Sequence, residues 1–421
     1  YKLVIMRLLL TSLLMLSATL TYAADTSTRI FDQSMRSLRA CLETDYYAPP
    51  VIELGGDDRV RVEFDDINSE RRYMRYSLLH CDAAWQPSQI VESDYVDGFN
   101  QADVEDCEFS SGTFEQYVHY GISLPNQDMP ILLSGNYLLK VYLEDDPDCV
   151  LLQQRFCVVE KRVGIGAAVS SRTDVDYNDS HQQISITINT ANWSINNPYS
   201  DLRVVVTQNQ RTDNEVMVTQ PLRVSGNTIV FDHDRQLIFP GGNEFRRFEI
   251  VTTNYAGMGV ERYTYSHPYH HAVLETDEPR AFESYSFDRT QYGRFTIRES
   301  NSYDSNTQAD YMITHFSLAM PRLAGGDVYV DGEFTQHRFA NSNRMHYNVD
   351  TQCYELDLPL KQGAYNYQYL WLPNGMNVAQ TAKIEGDHYQ TVNEYMIRAY
   401  YRVPGERYDR LIGYGLIYSG H

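Results

Sequence analysis

What this chain has little of narrows its function before anything it contains does. Its 421 residues carry 35 Lys and Arg against 56 Asp and Glu, a formal net charge of −21. A nucleic-acid binder needs clustered cations to release counterions from phosphates, and anionic lipid surfaces attract polybasic segments, so this balance disfavours both partners. Solubility, a basic partner or an electropositive cavity are the readings that fit the acid excess. Cysteine is scarce too: Cys41, Cys81, Cys107, Cys149, Cys157 and Cys353 include no Cys-x-x-Cys spacing. That removes the zinc patterns and the disulfide-dense scaffold. Four of the six fall between Cys81 and Cys157, so one or two bridges there remain open beside the alternative of buried free thiols.

Catalytic signatures are missing as well. There is no Gly-x-Ser-x-Gly elbow, no phosphate loop and no His-Glu-x-x-His. Gly164 and Gly166 supply two glycines of a dinucleotide loop, but Val169 stands where the third should be and no helix pattern follows. His267, His270 and His271 could hold zinc or copper only if the fold brought further ligands; in a turn between domains they are solvated or hydrogen-bonded to backbone instead. Asp174, Asp176 and Asn178 begin like a calcium loop, yet Asp179 replaces its glycine and Ser185 its bidentate glutamate, which favours a solvated turn. Glu144 to Asp148 reads as an acidic hairpin tip. The expectation is a protein that is not an enzyme, with no catalytic residue, no metal and no cofactor.

What is present is tyrosine: 34, against 16 phenylalanines and three tryptophans. Tyrosine suits strands because its ring packs on a pleated surface while its hydroxyl finds a polar partner. Alternation of apolar and polar residues recurs throughout, as in Arg59–Phe64, Ile184–Asn189 and Tyr354–Leu358, and turn residues such as Ser225-Gly226-Asn227 separate the runs. Apart from residues 6–23, no segment keeps a helical period. Those residues read as a secretory signal peptide: Arg7 opens it, Leu8 to Leu16 is too short to span a bilayer, and Ala23 precedes a cleavage point. The predicted fold class is all-β, tandem immunoglobulin-like or fibronectin-like β-sandwich domains over residues 24–160, 161–278 and 279–421, with strands every ~8–12 residues. Tyr365, Tyr367, Tyr369 and Trp371 share one face of a strand, and with Gly332-Glu333-Phe334 they are similar to carbohydrate modules. That stripe is either a sugar-stacking platform, making the chain an exported glycan-binding protein, or part of a sandwich core.

Several stretches together resemble the plug protein family of the type IX secretion system of Bacteroidota. They are Tyr76 to Ser88, containing His80-Cys81-Asp82-Ala83-Ala84-Trp85; Asp94 to Phe99; Tyr117 to Tyr120; Ser134 to Tyr137; Gly363 to Tyr369; Ala399 to Arg402; and Arg407 to Gly413. The resemblance covers nearly all of the chain after residue 24, with the His-Cys-Asp-x-x-Trp segment its most specific part. It implies a soluble periplasmic protein at the inner face of the outer membrane, without a direct lipid anchor, whose partner is the large translocon barrel it closes. No catalytic residues come with it, and the partner-contact residues stay unknown. His80, Cys81 and Trp85 are either barrel contacts or core anchors; Tyr408, Arg410 and the loop at Pro404 are the better surface candidates.

Overall fold

The computed structural model describes residues 25–420. The segment 6–23, read above as a signal peptide, lies outside them. Among the described residues the chain forms 28 strands and three α-helices of four residues each. The fold is all-β, six sheets paired face to face into three sandwiches. No helix among these residues is long and apolar enough to cross a membrane.

In the first sandwich, one sheet orders Arg29–Ile30, Asp146–Val159, Gly135–Leu143, Met74–Cys81 and Ala102–Asp103, and Val51–Glu53 runs parallel beside Asp146–Val159. The opposing sheet orders Met35–Leu42, Val60–Asp66, Val118–Leu124 and Asp106–Phe109. Alternation builds the core between them. Val60, Val62 and Phe64 point inward and meet Tyr76, Leu78 and Leu139 from the other sheet.

The second and third sandwiches do not follow the division at 278. Residues 161–278 were expected to be one sandwich and 279–421 another, but strand pairing corrects both. Leu202–Gln208 pairs antiparallel with Glu394–Tyr401, Leu202 opposite Tyr401 and Gln208 opposite Tyr395, and Arg410–Tyr418 extends the same sheet. The second sandwich closes this sheet over Gly164–Ser170, His181–Asn189, Thr228–Phe231 and their neighbours, with Ile184, Val204, Phe231 and Ile397 in one core. The third sandwich is therefore an insertion. It starts at Arg246–Glu249, includes the hairpin Val260–Ser266 and Tyr269–Leu274, and ends beyond Gly363–Pro373. Linear order misleads here because the C-terminal pair reads as strands like its sequence neighbours, and nothing local says which sheet it completes.

The chain leaves the second sandwich at Pro240-Gly241-Gly242-Asn243. The returning segment crosses it so closely that a Cβ on Gly241 would lie 2.2 Å from the His388 carbonyl oxygen. The two passes are tied by His388 N donating to Gly242 O at 2.9 Å and by Tyr389 N donating to Asp179 O at 3.0 Å. A chain stopped before Glu394 leaves the Leu202–Gln208 strand with a bare edge and opens the core of the second sandwich. We expect residues 161–278, expressed alone, to give no cooperative thermal transition by circular dichroism; a sharp transition would restore the linear domain division.

Candidate functional site

Four of the stretches that carry the family resemblance, Tyr76 to Ser88, Ser134 to Tyr137, Ala399 to Arg402 and Arg407 to Gly413, meet at the contact between the first and second sandwiches. His80 and Cys81 end the Met74–Cys81 strand, and Asp82 to Trp85 form the loop after it. Asp82 Oδ1 accepts from the backbone N–H of Ala84 and of Gln86, both at 2.9 Å, which holds the loop as a tight turn. From the C-terminal end of the chain, Asp409 Oδ2 accepts from Ala83 N at 3.0 Å while its Oδ1 takes the Arg402 Nε donor at 2.7 Å. Tyr400 OH donates to Asn136 Oδ1 at 2.6 Å, and Asn136 Nδ2 donates to the Asp82 carbonyl at 2.8 Å. An apolar cluster of Val51, Cys81, Trp85, Val205, Tyr400 and Leu411 fills the space between the two sheets.

His80 sits under this contact. Its Nδ1 is 2.8 Å from Ser88 Oγ, its Nε2 is 3.1 Å from the Ser134 carbonyl, and the rings of Tyr137 and Tyr408 stand edge-on at 5.0 and 5.6 Å. Burial pulls its pKa down to about 4, so the ring is neutral and serves as a packed hydrogen-bonding group. The fit explains Gly135: at φ +143° its position favours glycine, and a Cβ there would come within 2.4 Å of His80 Nε2. Burial likewise pushes the Cys81 thiol up to about 12, which rules it out as a nucleophile at neutral pH.

These positions correct two expectations. Tyr408, read as a surface candidate, is buried against His80. Arg410 is half-buried and directs its Nε to Glu406 at 2.8 Å, leaving Pro404 as the exposed member of that group. The stripe Tyr365, Tyr367, Tyr369 and Trp371 lies wholly inside the third sandwich, so no ring face is free to stack on a sugar, and that reading of the stripe is withdrawn.

The other candidates scatter. Gly164 to Ser170 is an edge strand, not a loop. His270 and His271 lie in a strand of the third sandwich rather than in a turn between domains, and His271 Nδ1 is 2.8 Å from His315 Nε2. The carboxylates of Asp174 and Asp176 are taken up by protein donors: His233 and Gln183 on the first, His181 and Ser180 on the second. Glu144 and Asp145 lie in an exposed hairpin turn, with Asp146 to Asp148 at the start of the strand that follows. None of the six cysteines is paired. Among the described residues no group of three or more His, Cys, Asp or Glu is placed to hold a metal ion.

A second junction, between the first and third sandwiches, went unread in the sequence. Asp65, fully buried, accepts from Lys361 Nζ and from Tyr311 OH, each at 2.6 Å, and its other oxygen is 2.7 Å from His119 Nδ1. Beside it, Tyr117 OH donates to the Ala309 carbonyl at 2.8 Å, and Asp310 accepts from the backbone N–H of Phe114 and Glu115. The third and second sandwiches are joined in turn by a buried bidentate pair, Arg294 Nη2 to the Glu394 carboxylate at 2.7 and 3.0 Å. Each sandwich is thus fastened to the other two. On the surface across the first–third junction, Phe114, Tyr265 and His270 form an aromatic cluster with ring centroids 4.8 to 6.0 Å apart.

The architecture defines a class: an all-β protein of three interlocked sandwiches. Comparison then gives the family. Residues 35–160 match the family described as "Type 9 secretion system plug protein 1st domain". A crystal structure of a hypothetical protein from Parabacteroides merdae ATCC 43184 is similar at 42% identity and TM-score 0.92, over 93% of this chain and 99% of that one. A structure of Escherichia coli alpha-2-macroglobulin activated by porcine elastase aligns over 91% of this chain and 34% of that one, at 10% identity and TM-score 0.16, and carries no argument. No curated protein matches. The chain belongs to the type 9 secretion system plug protein family.

The Asp65 cluster yields two predictions. Lys361→Met leaves a buried carboxylate with only His119 as cation and should cost about 3 kcal/mol in urea denaturation; an unchanged midpoint would mean that Asp65 is not held there as a charge. Burial alone would lower the His119 pKa, but the bond to Asp65 and the Glu63 carboxylate 3.9 Å from its Nε2 outweigh it and leave it at about 9. That stabilisation is complete below about pH 6.5, the unfolded value, and is lost as pH rises through about 9. Burial opposes ionisation of Asp65, but Lys361 and His119 hold its pKa below the usual range, so its contribution is present above about pH 4 and lost in acid. Stability measured at pH 6 and pH 10 should therefore differ by on the order of 3 kcal/mol more in the wild type than in His119→Gln. Equal pH dependence in both proteins would remove His119 from the account.

Proposed function

We propose that this protein is a non-enzymatic plug, residing in the periplasm at the inner face of the outer membrane, that closes the periplasmic opening of the translocon barrel of the type IX secretion system. The observation that carries this reading is the mutual locking of three sandwiches through buried contacts. A wide aperture can be blocked only by a body that keeps its width. Modules on flexible linkers would part under load, whereas these share buried hydrogen bonds or ion pairs at every junction. Opening then requires that the barrel have a second state that binds the plug less well, since equal affinity for both states would gate nothing.

Aromatic side chains dominate the energetics of protein interfaces, and the Phe114–Tyr265–His270 cluster spans two sandwiches where a bulky partner could cover it. We place that surface against the barrel. The test is recovery of partners from native membranes extracted in mild detergent, using the tagged chain. The expected result is co-purification of one very large β-barrel protein, reduced about tenfold or more in Phe114→Glu with the thermal transition unchanged. Recovery of soluble partners alone would defeat the plug reading; full recovery by Phe114→Glu would move the contact elsewhere.

A further inference from the structure

At the point common to all three sandwiches lies a cavity of about 120 Å3, partly open to solvent. Ligand sites favour domain junctions. One wall is apolar, with Leu38, Val51, Trp85, Phe156 and Met396. The charged lining is Arg39, Arg155 and Arg398 against Glu215 and Glu333, three guanidiniums to two carboxylates, an excess of one positive charge.

The excess is not neutralised elsewhere. Glu215 is engaged by Arg398, which also donates to Thr207 Oγ1 at 3.1 Å. Arg155 Nε donates to the Thr26 carbonyl at 2.7 Å and its guanidinium lies 4.2 Å from the Trp85 ring centre, with no carboxylate in contact. Its environment tells in its basicity: burial, partly offset by Glu215 and reinforced by Arg398, brings it down to about 10. Arg39, only 3% exposed, approaches Glu333 at 3.6 Å, beyond hydrogen-bond range, and donates through Nη2 to the Tyr46 carbonyl. Its Nε and Nη1 have no protein acceptor, nor do Arg398 Nε and Trp85 Nε1. A guanidinium presents its donors as a fork that matches a carboxylate, and leaving such donors buried without acceptors costs stability.

We propose that this cavity is a binding site for a small monocarboxylate with an apolar body, its carboxylate on the Arg39 fork and its hydrocarbon or aromatic part against Trp85 and Phe156. One negative charge balances the lining, and a ligand that binds only the folded protein would stabilise it. The site is independent of any barrel and is tested on the isolated protein.

Isothermal titration calorimetry of the purified chain with phenylpropionate, and with phenylpropanol as the uncharged analogue, decides it. Saturable binding of the carboxylate at least about tenfold tighter than that of the alcohol is expected. Arg39→Met, which keeps the aliphatic length, should weaken binding by about tenfold or more, and Glu333→Gln, which removes a competing charge, should tighten it. If Arg39→Met does not fold, Glu333→Gln and the alcohol comparison still decide. Absence of heat with phenylpropionate, equal affinity for the alcohol, or no tightening in Glu333→Gln overturns the proposal.

Discussion

The structure depends on the contact between the loop Asp82 to Trp85 and the strands at Tyr400 and Leu411, because that contact joins the first sandwich to a sheet completed by the last residues of the chain. Its chemistry is mixed. Apolar packing of Trp85, Val205 and Leu411 supplies the driving force. The hydrogen bonds from Ala83 to Asp409 and from Tyr400 to Asn136 fix the relative orientation, since a displaced interface would leave those buried groups without partners. The third sandwich, inserted between strands of the second, can then sit only where its own polar contacts to both neighbours are satisfied.

This topology explains why the most family-specific residues are not on the surface. His80, Cys81, Trp85, Asn136 and Tyr400 lie in one joint although they are up to 320 residues apart in the chain (80 to 400). A protein that works as a shape must preserve its joints, and a joint between sandwiches tolerates little change because both sides must change together. The outer surface has more latitude, and the acid excess of the chain keeps it solvated.

Much of the fold was legible in the sequence. The strands Val60–Asp66, His181–Asn189 and Cys353–Lys361 stand where alternation in Arg59–Phe64, Ile184–Asn189 and Tyr354–Leu358 put them, because a half-buried strand leaves a period-two record. Two kinds of information were not legible. Partnering was one: the aromatic and apolar run in Glu394–Tyr401 marks a strand but does not say that Leu202–Gln208 lies beside it. Buried charge was the other. Lys361 follows the apolar positions Leu356, Leu358 and Leu360 and looks like the polar end of a strand, while Asp65 and Asp66 look like the start of a turn; only the fold shows that Lys361 and Asp65 meet in a dry interface. Gly164 and Gly166, set aside as a dinucleotide loop for want of a third glycine and a helix, belong to an edge strand.

The central claim is that three sandwiches behave as one body. Differential scanning calorimetry tests it most directly, by comparing the measured enthalpy with the van't Hoff enthalpy of the same trace. The account predicts a single transition in which the two agree. Separate transitions, or a measured enthalpy two or three times the van't Hoff value, would show sandwiches that melt independently and would contradict it.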